Sequence, residues 1–111
     1  MSKTSQALLL AGAMALVVGR LGFAQASHAA QAVTHAQLAV AQGKAGHADS
    51  LVIHAQEALT QAQAADKENS TIHTQAAIKE LNEAIEHGKL GHAAIATKRA
   101  QAALAHLQMI K

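Results

Sequence analysis

Large aliphatic side chains recur at seven-residue steps in four stretches of this chain: Val33 and Val40, Val52 and Leu59, Ile78 and Ile85, and Leu104, with Thr97 in the remaining place. Directly before each stands a second row, Ala32, Ala39, Leu51, Ala58, Ala77, Ala84, Ala96 and Ala103. Three residues earlier again, a third row is mostly alanine or glycine, with Leu81 and Leu107. Seven residues make almost two helical turns, so the three rows merge into one apolar stripe at heptad positions a, g and d. The pattern predicts helices over 28–43, 47–66, 70–88 and 92–110.

The connections are as legible as the helices. Gly43-Lys44-Ala45-Gly46 and Gly88-Lys89-Leu90-Gly91 each separate two stripes. Gly43 and Gly88 suit the left-handed position that ends a helix, and Asp49 favours a helix N-terminus beside it. The polar run Asp66-Lys67-Glu68-Asn69-Ser70-Thr71 joins the two halves, with Asn69 to Thr71 offering an N-cap. The halves are themselves copies: Ala32 to Leu59 aligns without gaps on Ala77 to Leu104, an offset of 45 (77 less 32). The fold this predicts is all-α, an antiparallel up-down four-helix bundle made of two duplicated helical hairpins. An alanine-rich core buries little area, and at ~25 cal/mol per Å² it leaves a small margin over the ordering cost. The chain should be helix-rich and modestly stable.

All eight histidines fall on the row just outside that stripe, heptad position c. Along the four helices this row reads His28, His35, Gln42; His47, His54, Gln61; His73, Glu80, His87; and His92, Arg99, His106. Position c flanks the core on its g side. If each hairpin pairs through its g edges, loop arithmetic sets the c residues opposite one another. The rungs are Gln42/His47, His35/His54 and His28/Gln61 in the first hairpin, and His87/His92, Glu80/Arg99 and His73/His106 in the second. The rung of the second hairpin that lacks histidine carries an acid facing a base.

Composition narrows the chemistry. Ahead of the helices, Lys3, the apolar run Ala7 to Gly19 and the small-x-small triplet Ala24-Gln25-Ala26 have the layout of a secretory signal. The run stops at Arg20, short of the roughly 20 apolar residues a membrane span needs, so a cleaved leader over 1–26 is preferred to an anchor. The mature domain is then 27–111. Without Lys3 and Arg20 the nine basic residues become seven, equal to the seven acids, and Phe23, the one aromatic, leaves as well. A neutral chain without aromatic rings lacks the electrostatic and stacking equipment of a nucleic-acid binder. No cysteine is present, which removes disulfides, thiolate sites and c-type haem attachment. No nucleophile stands beside a histidine–acid pair, so the chain reads as a binding protein rather than an enzyme. After loss of the leader nothing directs it to a membrane, and a monomer is expected.

Rows of imidazole point to metal, because neutral imidazole is the commonest side-chain ligand for copper, zinc and nickel. His87 and His92 face each other across a tight loop, and Glu83, four residues before His87, can add a carboxylate. That set suits Cu(II) or Ni(II), with water completing the shell, and ranks as the leading site. His35/His54 ranks second, with Glu57 one turn beyond His54 as a possible extra ligand. His73/His106 is third. His47 and His28 have glutamine rung-mates and should bind weakly, although cleavage before Ser27 would give His28 a neighbouring amine. With Met109 the only sulfur left, copper(II) is favoured over copper(I), and Ni(II) or Zn(II) could substitute. Binding should weaken below about pH 6, where protons compete for imidazole.

The segments His35-Ala36, Gly43-Lys44-Ala45-Gly46-His47, His54-Ala55-Gln56-Glu57-Ala58-Leu59, Ala84-Ile85-Glu86-His87-Gly88-Lys89-Leu90-Gly91-His92 and Ala96-Thr97-Lys98 resemble the small metal-binding protein family. The resemblance spans essentially the whole mature chain and implies a periplasmic protein that sequesters divalent metals, copper(II) foremost, without catalysis. It departs from the family pattern at Gln42, Gln61 and Arg99, where histidine is usual. The competing reading is a structural or partner-binding helical module of the cell envelope, which would ignore copper at micromolar concentration.

Overall fold

The computed structural model describes residues 26–111. The leader assigned to 1–26 therefore lies, but for its last residue, outside the described residues. Four helices follow in order: α1 (His28–Lys44), α2 (Ala48–Glu68), α3 (Ile72–Lys89) and α4 (Ala93–Gln108). No strand occurs among the described residues. Within each hairpin α1 packs on α2 and α3 on α4, while α2 with α3 and α1 with α4 close the ring. The molecule is the four-helix bundle of two hairpins that the heptad rows predict.

The centre of the bundle is the g and d rows. Ala32, Ala36, Ala39, Ala55, Ala58, Ala62, Ala77, Ala84, Ala96, Ala100 and Ala103 are wholly buried together with Leu51 and Leu81. The larger a-row residues Val33, Val52, Leu59, Ile78 and Leu104 are only partly buried and pack against that centre from its margin. Val40 and Ile85 of the same row are buried in the core, so the close approach that alanine allows leaves most, but not all, of the branched a-row side chains at the flanks.

The two glycines of each loop do different work from that expected. Gly43 and Gly88 are helical and buried. The left-handed conformation belongs to Gly46 and Gly91, with φ of 82° and 78°. The first glycine of each pair is required by packing: a Cβ on Gly43 would lie 2.6 Å from Leu51 Cδ1 and closer still to Thr97 Oγ1, and one on Gly88 would lie 2.5 Å from Val52 Cγ2. Val52 and Thr97 are themselves duplication partners (52 plus 45), so both hairpins dock by setting the same a-row residue onto the other's glycine. Thr97 breaks the aliphatic row for a local reason as well: its hydroxyl donates to Ala93 O at 2.6 Å.

The second glycine makes the turn. Gly46 N–H donates to Gly43 O at 3.0 Å and His47 N–H to Gln42 O at 2.9 Å; Gly91 and His92 repeat this onto Gly88 and His87 at the same distances. Paired bonds of this kind, around one left-handed residue, form a Schellman motif that satisfies the last carbonyls of the helix. At the other end, α2 runs on through Asp66-Lys67-Glu68 before Asn69 turns extended. Thr71 then caps α3 in a reciprocal box with Thr74. Asp66 Oδ1 accepts the Thr74 hydroxyl at 2.6 Å and the Ser70 hydroxyl at 2.8 Å, tying the end of α2 to the start of α3.

Candidate metal sites

The Schellman turn itself assembles the first rung of each hairpin, because it brings the residue after the left-handed glycine back beside one in the last helical turn. Those residues are Gln42 with His47 and His87 with His92. His47 Nδ1 lies 3.1 Å from Gln42 Oε1. The His87 and His92 ring centroids are 5.8 Å apart, tilted by 35°. His47 and His92 are also the N-caps of α2 and α4, yet neither side chain bonds the helix N-terminus. Their rings turn instead to the seam.

Seven residues further from each loop, the helical period places the second rung. His35 and His54 meet there, and Glu57 joins them: one ligand atom from each of the three falls within 4.8 Å of the others. Glu57 Oε1 lies 3.2 Å from His54 Nδ1 and 3.6 Å from His35 Nδ1. His35 Nδ1 is buried without a hydrogen-bond partner, an orphaned nitrogen turned toward the carboxylate. Both imidazoles are 28% exposed, so solvent reaches the cluster and can complete a coordination shell.

The corresponding rung of the second hairpin, related by the offset of 45, is Glu80 with Arg99. Arg99 Nη1 lies 3.4 Å from Glu80 Oε2 and 3.2 Å from Glu83 Oε2. The third rungs lie near the far ends. His28 Nδ1 donates to Gln61 Oε1 at 2.7 Å. His73 and His106 approach Nδ1 to Nδ1 at 3.2 Å with ring centroids 5.4 Å apart. At that separation the Nδ1–H of one ring can donate to the bare Nδ1 of the other.

The structure thus forms all six rungs that the heptad arithmetic sets out and brings His35 with His54, His87 with His92, and His73 with His106. It sets Glu83 against Arg99. The three-residue cluster forms at His35, His54 and Glu57. The His87 Nδ1 atom is buried without a partner, as His35 Nδ1 is. Two features have no counterpart in the sequence reading. One is the reach of Arg99 to a second carboxylate, invisible because a long side chain crosses between heptad rows. The other is the Asp66–Ser70–Thr74 clasp, whose serine and threonine spacing resembles any N-cap. No described helix is long and apolar enough to cross a membrane.

Set beside known proteins, the chain matches the model of a family described as small metal-binding protein over residues 2–110. No curated protein matches it.

Proposed function

The chain belongs to the small metal-binding protein family, and from that premise we propose that it binds and sequesters divalent transition metal ions, copper(II) foremost, in the periplasm. The observation that carries this reading is the convergence of His35, His54 and Glu57 on one point. Two imidazoles and a carboxylate, with water in the open positions, form a borderline-hard donor set that suits Cu(II) and accepts Ni(II) or Zn(II). His87/His92 and His73/His106 supply two further imidazole pairs. His28 and His47, each bonded to a glutamine, hold ions only weakly. Every site lies on an open edge of the bundle, which favours exchange with solvent and hence buffering over catalysis. Periplasmic placement rests on the leader-like segment at 1–26.

Calorimetric titration tests the proposal. The protein should take up more than one equivalent of Cu(II) and lose one on replacement of both His35 and His54 by alanine. Glu57→Gln, which keeps the shape and removes the charge, should weaken that site by about tenfold without loss of helix signal. A protein that takes up no Cu(II) at micromolar concentration would overturn the reading in favour of an envelope scaffold. Unchanged stoichiometry in the double variant would remove the His35/His54/Glu57 site.

A further inference from the structure

The two hairpins surround the same rung with different partners. At the His35/His54 rung a carboxylate faces two imidazoles, and no lysine or arginine bonds Glu57 among the described ion pairs. At the duplicated rung a guanidinium sits between two carboxylates, Glu80 and Glu83. Arginine keeps its charge at every accessible pH and offers donors but no lone pair. Arg99 therefore fills with a permanent charge a place that the first hairpin leaves to a ligand.

Glu83 is shared ground. It stands four residues before His87, on the same side of α3, so its carboxylate is within one helical turn of the His87/His92 pair. In the structure its Oε2 is held instead by Arg99 at 3.2 Å. The ion pair is half open to water, with Arg99 45% and Glu83 33% exposed. Such pairs are weak, so Arg99 biases Glu83 rather than locking it.

We propose that Arg99 is an affinity-setting residue: by holding Glu83 it keeps the carboxylate out of the His87/His92 site, which then binds divalent ions through two imidazoles and water alone. The second hairpin is thereby tuned to release metal more readily than the first. This rests on the metal-binding reading of the histidine pairs. The mechanism is competition between one guanidinium and one metal ion for the same oxygen.

Zn(II), which has no redox chemistry, is the probe, followed through the ring signals of His87 and His92 by nuclear magnetic resonance so that this site is read apart from the others. Arg99→Gln should tighten Zn(II) there by about two- to fivefold. Arg99 is exposed, and an unchanged helix signal checks that the variant is folded. Removing a positive charge would raise affinity through space in any case, so the deciding measurement is a double-mutant cycle. Glu83→Gln should cost much more affinity in the Arg99→Gln background than in the parent protein, and the double variant should return close to parent affinity. Additive effects would overturn the proposal, as would a gain that survives loss of Glu83. Zn(II) binding at His87/His92 that ignores both substitutions would sink the proposal while leaving metal binding intact. Absence of Zn(II) from those rings in every variant would overturn the proposal and the assignment of metal to that pair, while the His35/His54/Glu57 site is judged by its own titration.

Discussion

A carboxylate that accepts two hydroxyl protons is stabilised in its ionised form, because both donors point their positive ends at it. Asp66 is in this position at the junction of the hairpins: the Thr74 hydroxyl foremost, then that of Ser70, holds its carboxyl below the ordinary value of 3.8. A depressed folded-state value means that the contribution of Asp66 is complete above the unfolded value and disappears as pH falls through the lower folded one. Denaturant midpoints measured from about pH 6 down to about pH 2 should therefore show an acid-limb loss below about pH 4. In Asp66→Asn, which cannot ionise, that loss should be shallower and the neutral-pH stability lower. Identical acid limbs in the two proteins would show that the clasp carries no linkage. Thr74 explains why the junction is specific: its wholly buried hydroxyl serves the N-cap box and the Asp66 bond at once, so no apolar residue could replace it.

At the scale of elements, the Schellman turns join sequence to chemistry. A left-handed glycine three residues after a helical glycine sets both the helix end and the meeting of the residues that flank it. Gly91 has φ of 78° and open space where a Cβ would stand, so Gly91→Ala costs backbone strain alone, about 1 kcal/mol. Gly88→Ala meets Val52 and costs packing, about 1–3 kcal/mol. The two should also differ in effect on metal: relaxation of the turn in Gly91→Ala moves His92 relative to His87 and weakens that pair, whereas Gly88→Ala perturbs the contact between hairpins. Thermal melts with and without Zn(II) check both, and equal loss of Zn(II) affinity in the two variants would contradict this division. The same turns mark what the sequence reveals. The rungs are legible because a seven-residue step and a loop length are local quantities. Which glycine is left-handed is not legible, since Gly43 is claimed for packing by Leu51 and by Thr97 of the other hairpin, a demand that exists only once the bundle has formed. The sequence puts Glu83 one turn before His87 on α3, but the competing grip of Arg99 comes from side-chain reach across helices.

Across the whole molecule, every histidine pair joins helices of one hairpin, and none joins hairpin to hairpin. Ions bound at these rungs would therefore brace α1 against α2 and α3 against α4, leaving the contacts of α2 with α3 and of α1 with α4 to the alanine core, the Val52–Gly88 and Thr97–Gly43 contacts and the Asp66 clasp. Each alanine buries little apolar surface, and five of the larger a-row residues are only partly buried, so that core has a small stabilising margin. Binding to the folded chain alone adds stability by mass action, about 2.7 kcal/mol for one site at a free ion concentration of one hundred times its Kd. In a domain of this size that raises Tm by roughly 10 °C or more. Saturation with Ni(II) or Zn(II) should produce such a rise, and the His35→Ala, His54→Ala double variant should lose the share owed to its site. Hydrogen exchange gives the sharper test, because protection should rise first in α1 and α2 around His35 and His54, and least at the Asn69–Thr71 junction. A uniform rise along all four helices would mean that unfolding is cooperative across the hairpins, and a rise confined to the junction would contradict the placement of the sites within the hairpins.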